Sequence, residues 1–418
     1  MSWHIWFVPT NSSHVGKLKA FMDALAAAGH RVHLLSIDAF LAAHHAALPH
    51  IEKAGYPYEV MPGGGFRPHR RRTIEALRRR KVVRAVEDFF ANRAADAVIF
   101  GEDYYVPTRT FIRTLLRLEI PTVLVADGIT LPSDPYYEGG WWNAVHVAAW
   151  GLLRRALRTE GARGTSGVDR ILVMNRTGLE VLVEHGARPD RIRVVGSCEY
   201  DALASHSTEP FSAEEEQRLR ARLALPPDRP VVFFAHQGIG GTDVERAVVR
   251  TMVAGARRCG ATVLVKFHPR VPGDPEAWRA WARAQQIRAE EAVFARDECT
   301  SLEAVRLCSV CVAAFSTIIL EAMIYRKPVV LVQYLKVPSR VSYGRQYGAA
   351  LEAETPAALE EAIVSAVTDP QVRERLRQGA ATALQNELHG LDGRSAERMV
   401  ESVTELIRER QAASTARL

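Results

Sequence analysis

Short apolar runs alternating with helical stretches constrain this chain more than any other feature. Ile5–Val8, Val32–Ser36, Ala97–Phe100, Thr122–Ala126, Ile171–Met174 and Ile192–Val195 read as strands. Helical stretches separate them, among them a helix reaching Ala28 and closed by Gly29, and Gly178–His185 closed by Gly186. This alternation is that of βαβ units and parallel sheets. A polar, acidic segment, Ser205–Glu216, then interrupts it, and Leu225–Pro230 marks the entry to a second series. Strands recur at Val231–Ala235, Val263–Phe267, Val310–Ala313 and Val329–Val332, and Thr355 to about Gln411 reads as helix.

With 418 residues the chain exceeds the size at which a single core stays intact. The pattern predicts an α/β protein of two Rossmann-like, doubly wound domains facing a cleft. Residues 1–204 are assigned to the first domain. Residues 205–418, with the terminal helices, go to the second, a crossing of the last helices back onto the first being left open.

Composition narrows the class. Hydrophobic residues make up 47% and charged residues 24%, an ordinary globular balance. No apolar run approaches the roughly 20 residues of a spanning helix. The Met1–Pro9 stretch lacks the basic leader of a secretory signal and reads as the first strand. The five cysteines do not form a disulfide framework, and Cys308-Ser-Val-Cys311 has no second pair to complete a zinc site. A cytoplasmic location is expected. Net charge is +6, with the excess concentrated between Arg67 and Arg84. That stretch suits either a solvated helix face or an anionic membrane surface. The aromatic Tyr136–Trp142 segment, continuing to Arg154, Arg155 and Arg158, suits an interfacial helix or an ordinary core helix. No nucleic-acid-binding pattern accompanies the basic stretch, so nucleic acid is not an expected partner.

In open α/β sheets, ligands bind at the carboxyl ends of strands, so the residues following each strand carry the functional reading. After Val231–Ala235 comes His236-Gln237-Gly238-Ile239-Gly240-Gly241-Thr242. A glycine turn between strand and helix lets phosphate approach backbone N–H groups, though its spacing fits neither a Walker loop nor a dinucleotide fingerprint. After Val263–Phe267 comes His268-Pro269-Arg270, preceded by Lys266, a cationic group suited to phosphate. After Val310–Ala313 comes Ser316-Thr317, hydroxyls suited to capping or phosphate binding, with Glu321 one turn further on for a sugar or ribose hydroxyl. In the first domain Asp127-Gly128 follows Thr122–Ala126. An acid there can act as general base, and the glycine leaves room for a ligand. Ser12, Ser13, His14 and Asp103 are the further acceptor-side candidates. No Asp-x-Asp occurs, so phosphate charge falls to side chains and helix dipoles, and no metal or other cofactor is expected.

Together Asp127-Gly128, His268-Pro269 and Ser316-Thr317 resemble the acidic-Gly, His-Pro and Ser/Thr motifs of GT-B-fold bacterial glycosyltransferases. The similar groups are sialyltransferases, Kdo transferases and CDP-glycerol transferases. Two departures stand out: Ala126 occupies the place of a second acid, and the hydroxyl pair is Ser-Thr. The resemblance implies a metal-independent transferase moving a sugar from a nucleotide-activated donor to a saccharide or lipid-linked acceptor. It implies Asp127 as the base, His268 stabilising the leaving phosphate, and Ser316 and Thr317 binding it.

Rival readings share the fold. A non-hydrolysing UDP-sugar 2-epimerase would carry a Gly-Thr-Arg-Pro-Glu turn after the first strand, where this chain has Pro9-Thr10-Asn11-Ser12-Ser13. A CDP-polyol phosphotransferase and a binding protein with a decayed site complete the set.

Overall fold

The computed structural model describes residues 2–40, 47–62, 72–103, 106–126, 164–207, 209, 211–238, 241–268, 273–335 and 342–416. They form two compact α/β units. In the first, β1 (His4–Val8), β2 (Arg31–Ser36), β3 (Tyr58–Val60), β4 (Ala97–Phe100), β5 (Thr122–Ala126), β6 (Arg170–Val173) and β7 (Ile192–Val194) make one parallel sheet ordered β3-β2-β1-β4-β5-β6-β7. In the second, β8 (Val231–His236), β9 (Thr262–Phe267), β10 (Ala292–Ala295), β11 (Val310–Ala313), β12 (Val329–Val332) and β13 (Leu351–Ala353) make another, ordered β10-β9-β8-β11-β12-β13.

The sequence dictates this. β4, β5, β6, β9, β11 and β12 are buried along their whole length, which is why they read as largely apolar runs, with Arg170 in β6 and Lys266 in β9 the charged exceptions. The expected α/β class with two doubly wound sheets is what the chain adopts. β3, β10 and β13 were not expected from the sequence. Each lies at a sheet edge, is short, and lacks a long apolar run. In each sheet the first strand lies between two later ones, β1 between β2 and β4, and β8 between β9 and β11. Those are the topological switch points, where a crevice opens at the carboxyl ends of the strands.

The unit boundary falls between Ala202 and Leu203, but the second unit stops at Asn386 rather than running to residue 418. From Glu387 the chain belongs to the first unit. The reason is the helix Ser395–Thr415. Met399, Val403, Leu406 and Ile407 form a stripe at helical spacing and are buried in one cluster with Ile5, Phe21, Leu25, Val123 and Leu172. The returning chain passes so close to Gly196 (φ 85°) that a Cβ there would lie 2.2 Å from Ser395 Oγ. Arg170, only 4% exposed, clasps the helix by donating to Ser402 O at 3.1 Å, Glu405 at 2.6 Å and Glu409 at 2.8 Å.

No helix among the described residues is long and apolar enough to cross a membrane. The Tyr136–Arg158 segment and Arg67–Arg71 lie outside the described residues. The rest of the basic stretch belongs to the helix Arg72–Phe90. There Val82, Val86, Phe89 and Phe90 are buried in the core, while Arg80, Lys81 and Arg84 are exposed. Cys308 and Cys311 are buried small apolar groups. Burial pushes the Cys308 thiol up to about 12 and that of Cys311 well above its ordinary value.

Candidate functional site

In the second unit the polar loops gather where the topology directs them. β8 is flanked by β9 and β11, so the residues after these three strands are neighbours along one sheet edge. β8 runs one residue further than its apolar run, which makes His236 a strand residue and starts the loop at Gln237. Gln237 is buried, and its Oε1 accepts the Phe315 N–H at 3.2 Å, tying the β8 loop to the β11 loop across the switch point. Gln237 therefore holds two loops together through its Oε1. Gly238 adopts φ 73°, a conformation that favours glycine, and Gly241 (φ 85°) opens the helix Thr242–Arg258 without a side-chain cap. Glu245, in the first turn of that helix, reaches back to accept Gly238 N–H at 2.7 Å and to meet His236 Nε2 at 2.8 Å. The His236 ring packs against Phe267 and Trp278, with centroids at 4.7 and 5.6 Å. Gly240 lies outside the described residues.

Lys266 departs from the expected phosphate contact. It lies on β9, is buried, and donates through Nζ to the carbonyls of Phe267 at 3.1 Å and Arg296 at 2.5 Å. Its charge thus serves the β9–β10 edge. His268 emerges at the end of β9, half-buried, while Pro269 and Arg270 lie outside the described residues. After β11, Ser316 Oγ accepts Ile318 N–H at 3.3 Å, a capping role for the helix Ile318–Ile324. Thr317 sits at the cap position with helical backbone and makes no side-chain cap bond, so its hydroxyl is not spent on the helix end. Glu321 follows in the first turn of the same helix, half-buried.

In the first unit the switch point between β1 and β4 holds His14. Asn11 caps the helix Ser12–Lys17: its Oδ1 accepts the N–H groups of Ser13 and His14 at 3.0 and 3.2 Å and the Ser13 hydroxyl at 2.6 Å. That fixes the Asn11 amide NH₂ toward His14 Nε2, at 2.9 Å. His14 Nδ1 faces Thr10, accepting its backbone N–H at 3.3 Å and lying 3.2 Å from its Oγ1. The ring lies flat over Gly101, where an added Cβ would fall 2.4 Å from Nδ1. Glycine after β4 is thus a condition for His14 to sit at the crevice.

Asp103 differs from its acceptor-side expectation. It is fully buried, and its two carboxylate oxygens accept the N–H groups of Gly164 and Ser166 at 2.9 and 3.0 Å. It anchors the chain that leads into β6. Glu102 is likewise buried and accepts the Thr108 hydroxyl at 2.7 Å. Burial pushes the Arg109 guanidinium down, with Asp103 opposing that shift. Ser13 stands beside His14, while Asp127, Gly128 and the Ser12 side chain lie outside what is described. Among the described residues no three His, Cys, Asp or Glu side chains are placed to hold a metal ion.

Sequence reasoning did not single out His236, Glu245, Thr10 or Asn11. For Glu245 a signal existed: an acid in the first turn of a helix opened by an uncapped glycine. For Asn11 the signal was its place one residue ahead of a Ser-Ser pair that begins a helix.

No protein-family model matches this sequence, and no curated protein sequence is significantly similar to it. Its fold is similar to that of UDP-GlcNAc 2-epimerase from Neisseria meningitidis bound to UDP-GlcNAc, with 11% identity, 97% and 100% of the two chains covered, and a TM-score of 0.65. It is similar to a glycosyltransferase from Rickettsia africae ESF-5, with 10% identity, 97% and 99% coverage, and a TM-score of 0.64. It is also similar to the Methanocaldococcus jannaschii UDP-GlcNAc 2-epimerase in complex with UDP-GlcNAc and UDP, with 14% identity, 97% and 100% coverage, and a TM-score of 0.59. At these identities the likeness is one of fold. Both units together correspond to the GT-B-like architecture shared by these sugar-nucleotide enzymes.

Proposed function

We propose that this chain breaks the bond between the anomeric carbon of a nucleotide-activated sugar and its phosphate, the second unit holding the nucleotide. The observation that carries this reading is the convergence of the Gln237, His268 and Ser316–Thr317 loops on the switch point of the β8-containing sheet, where open α/β sheets bind ligands. His268 supplies a cationic or donor group and Thr317 an uncommitted hydroxyl beside a helix start, a pairing suited to a diphosphate.

Bond cleavage at the anomeric phosphate belongs to 2-epimerisation without a redox cofactor and to glycosyl transfer alike. Epimerisation is the reading favoured by the full-length likeness to epimerases holding UDP-GlcNAc or UDP. Glycosyl transfer is favoured by the first-strand turn, in which Thr10, Asn11 and His14 form one bonded network, unlike the epimerase-type Gly-Thr-Arg-Pro-Glu. In either case a first-unit group moves a proton, and Asp127, the residue after β5, is proposed for it. A saccharide or lipid-linked acceptor and an anionic membrane surface belong to the transfer reading.

Nucleotide titration tests the shared step. A ligand that binds only the folded state raises its melting temperature. UDP, CDP, CMP or GDP is expected to stabilise the protein, with EDTA leaving the shift unchanged. Replacing Ser316 by Ala together with Thr317 by Val should weaken that nucleotide by about 10-fold or more, because hydrogen bonds to charged groups contribute roughly 1.5–3 kcal/mol each. Stabilisation by none of the nucleotides, or parental affinity in the double variant, would remove the basis of this reading.

A further inference from the structure

A glycine turn between strand and helix ordinarily directs backbone N–H groups and the helix dipole at a ligand's phosphate. The turn after β8 has that sequence but a different occupant. We propose that Glu245 is the resident anion at the His236–Gly238 end of this turn, a positioning residue that keeps the Gly238 N–H from phosphate. In the sugar-nucleotide reading, on which this consequence rests, the ligand's phosphates are thereby left to the His268 and Ser316–Thr317 loops.

Three observations combine. Glu245 lies in the first turn of the helix Thr242–Arg258, whose opening residue Gly241 offers no side-chain cap, so a negative charge there complements the helix end. Its two oxygens are each engaged by the turn's own groups, Oε1 by Gly238 N–H at 2.7 Å and Oε2 by His236 Nε2 at 2.8 Å. The pair is shut away from solvent, the His236 and Glu245 side chains being 2% and 3% exposed. A ligand phosphate seeking Gly238 N–H would have to displace a buried carboxylate bonded at both oxygens, or sit against its charge.

His236 locks the arrangement. Its ring is held between Phe267 and Trp278, and its Nδ1 has no hydrogen-bond partner among the described residues. The proton therefore resides on Nε2, facing the carboxylate. Moving it to Nδ1 would bury an unpaired donor and confront Glu245 with a bare lone pair. β8 thus ends in a fixed donor that holds the carboxylate, and the carboxylate holds the glycine turn.

The test needs neither nucleotide nor sugar, so it succeeds or fails independently of the nucleotide titration. Glu245→Ala leaves an anion-shaped vacancy lined by two N–H donors. Formate, the probe, should fill it and raise the melting temperature of Glu245→Ala by about 3–6 °C over an equal concentration of sodium chloride at roughly ten times its dissociation constant. The parent should move by less than about 1 °C under the same linkage. An equal response of parent and variant would overturn the proposal. Should Glu245→Ala fail to fold, ¹⁵N-histidine NMR of the parent and of Glu245→Gln decides. The parent is expected to carry the His236 proton on Nε2. In Glu245→Gln the amide oxygen keeps Gly238 N–H, the NH₂ turns to Nε2, and the proton moves to Nδ1. A parent with its proton on Nδ1, or an unchanged tautomer in Glu245→Gln, contradicts the assignment.

Discussion

Arg170→Met is expected to lower the melting temperature of the protein by about 5–10 °C, the lost stability of roughly 2–3 kcal/mol being spread over a unit for which each kcal/mol corresponds to about 2–4 °C. The effect is large because of where the charge sits. Arg170 begins β6 inside the first unit, is 4% exposed, and joins three groups of the returning helix: the Ser402 carbonyl, Glu405 and Glu409. Both glutamates are about half exposed, so they rehydrate when the partner is removed and contribute modestly. The larger share comes from the bond to Ser402 O and from the fit of the guanidinium against the helix. Methionine preserves most of the volume and none of the donors. The adjacent Asp169 reinforces the clasp, bonding Arg410 on the helix and Thr122 N–H, at 2.9 Å, on β5. Thermal unfolding followed by circular dichroism measures the effect. A melting temperature within about 1 °C of the parent would show that apolar packing of Met399, Val403, Leu406 and Ile407 alone holds the helix.

Asp127→Asn is expected to lower turnover by about 10²–10⁴-fold, the usual magnitude for loss of a general acid or base, while nucleotide affinity stays within a few-fold of the parent. The chain reaches Asp127 directly from β5, which is buried throughout and pairs with β4, and the glycine following β4 is the one that underlies His14. His14 is the competing candidate. With Thr10 facing Nδ1 and the Asn11 NH₂ facing Nε2, both ring nitrogens of His14 are engaged by neighbours, as those of an orienting group would be. His14→Gln retains a donor and acceptor in that space and should cost less than Asp127→Asn. Steady-state rates of the two variants, read beside their nucleotide affinities, decide. Near-parental turnover for Asp127→Asn, with a collapse for His14→Gln, would transfer the proton-moving role to His14.

The two sheets were legible because their central strands are buried on both faces and so carry apolar runs with turn residues at each end. β4, β5, β11 and β12 fall where the runs fall. The edge strands were hidden for the opposite reason. Tyr58-Glu59-Val60 has one sheet neighbour and largely exposed side chains, and three such residues leave no periodic trace. The return of the last helix to the first unit was equally obscure, since an amphipathic stripe states that a partner exists without naming it. At the site, residue types were legible and their partners were not. Lys266 reads as a phosphate-binding group, and only the fold shows its Nζ donating to backbone carbonyls; Asp103 reads as an acceptor-side candidate, and only the fold shows its carboxylate bonded by Gly164 and Ser166 N–H. Glu245 drew no reading from the sequence, since its bond to His236 forms only once the helix folds back over its own turn.

Cleavage at the anomeric phosphate is most directly measured with UDP-N-acetylglucosamine and a panel of CMP-, CDP- and GDP-activated sugars incubated with the protein in D₂O, with and without candidate saccharide acceptors. Inversion of a C–H centre by proton removal and return takes up solvent hydrogen. An epimerase therefore yields a nucleotide sugar labelled at the inverted carbon with no acceptor present, whereas a transferase releases nucleotide only when an acceptor is supplied. One of these two outcomes is expected for at least one nucleotide sugar, weakened together with nucleotide affinity in the Ser316→Ala, Thr317→Val variant. Recovery of every nucleotide sugar intact and unlabelled under both conditions, from protein that still binds its nucleotide, would contradict the proposed cleavage.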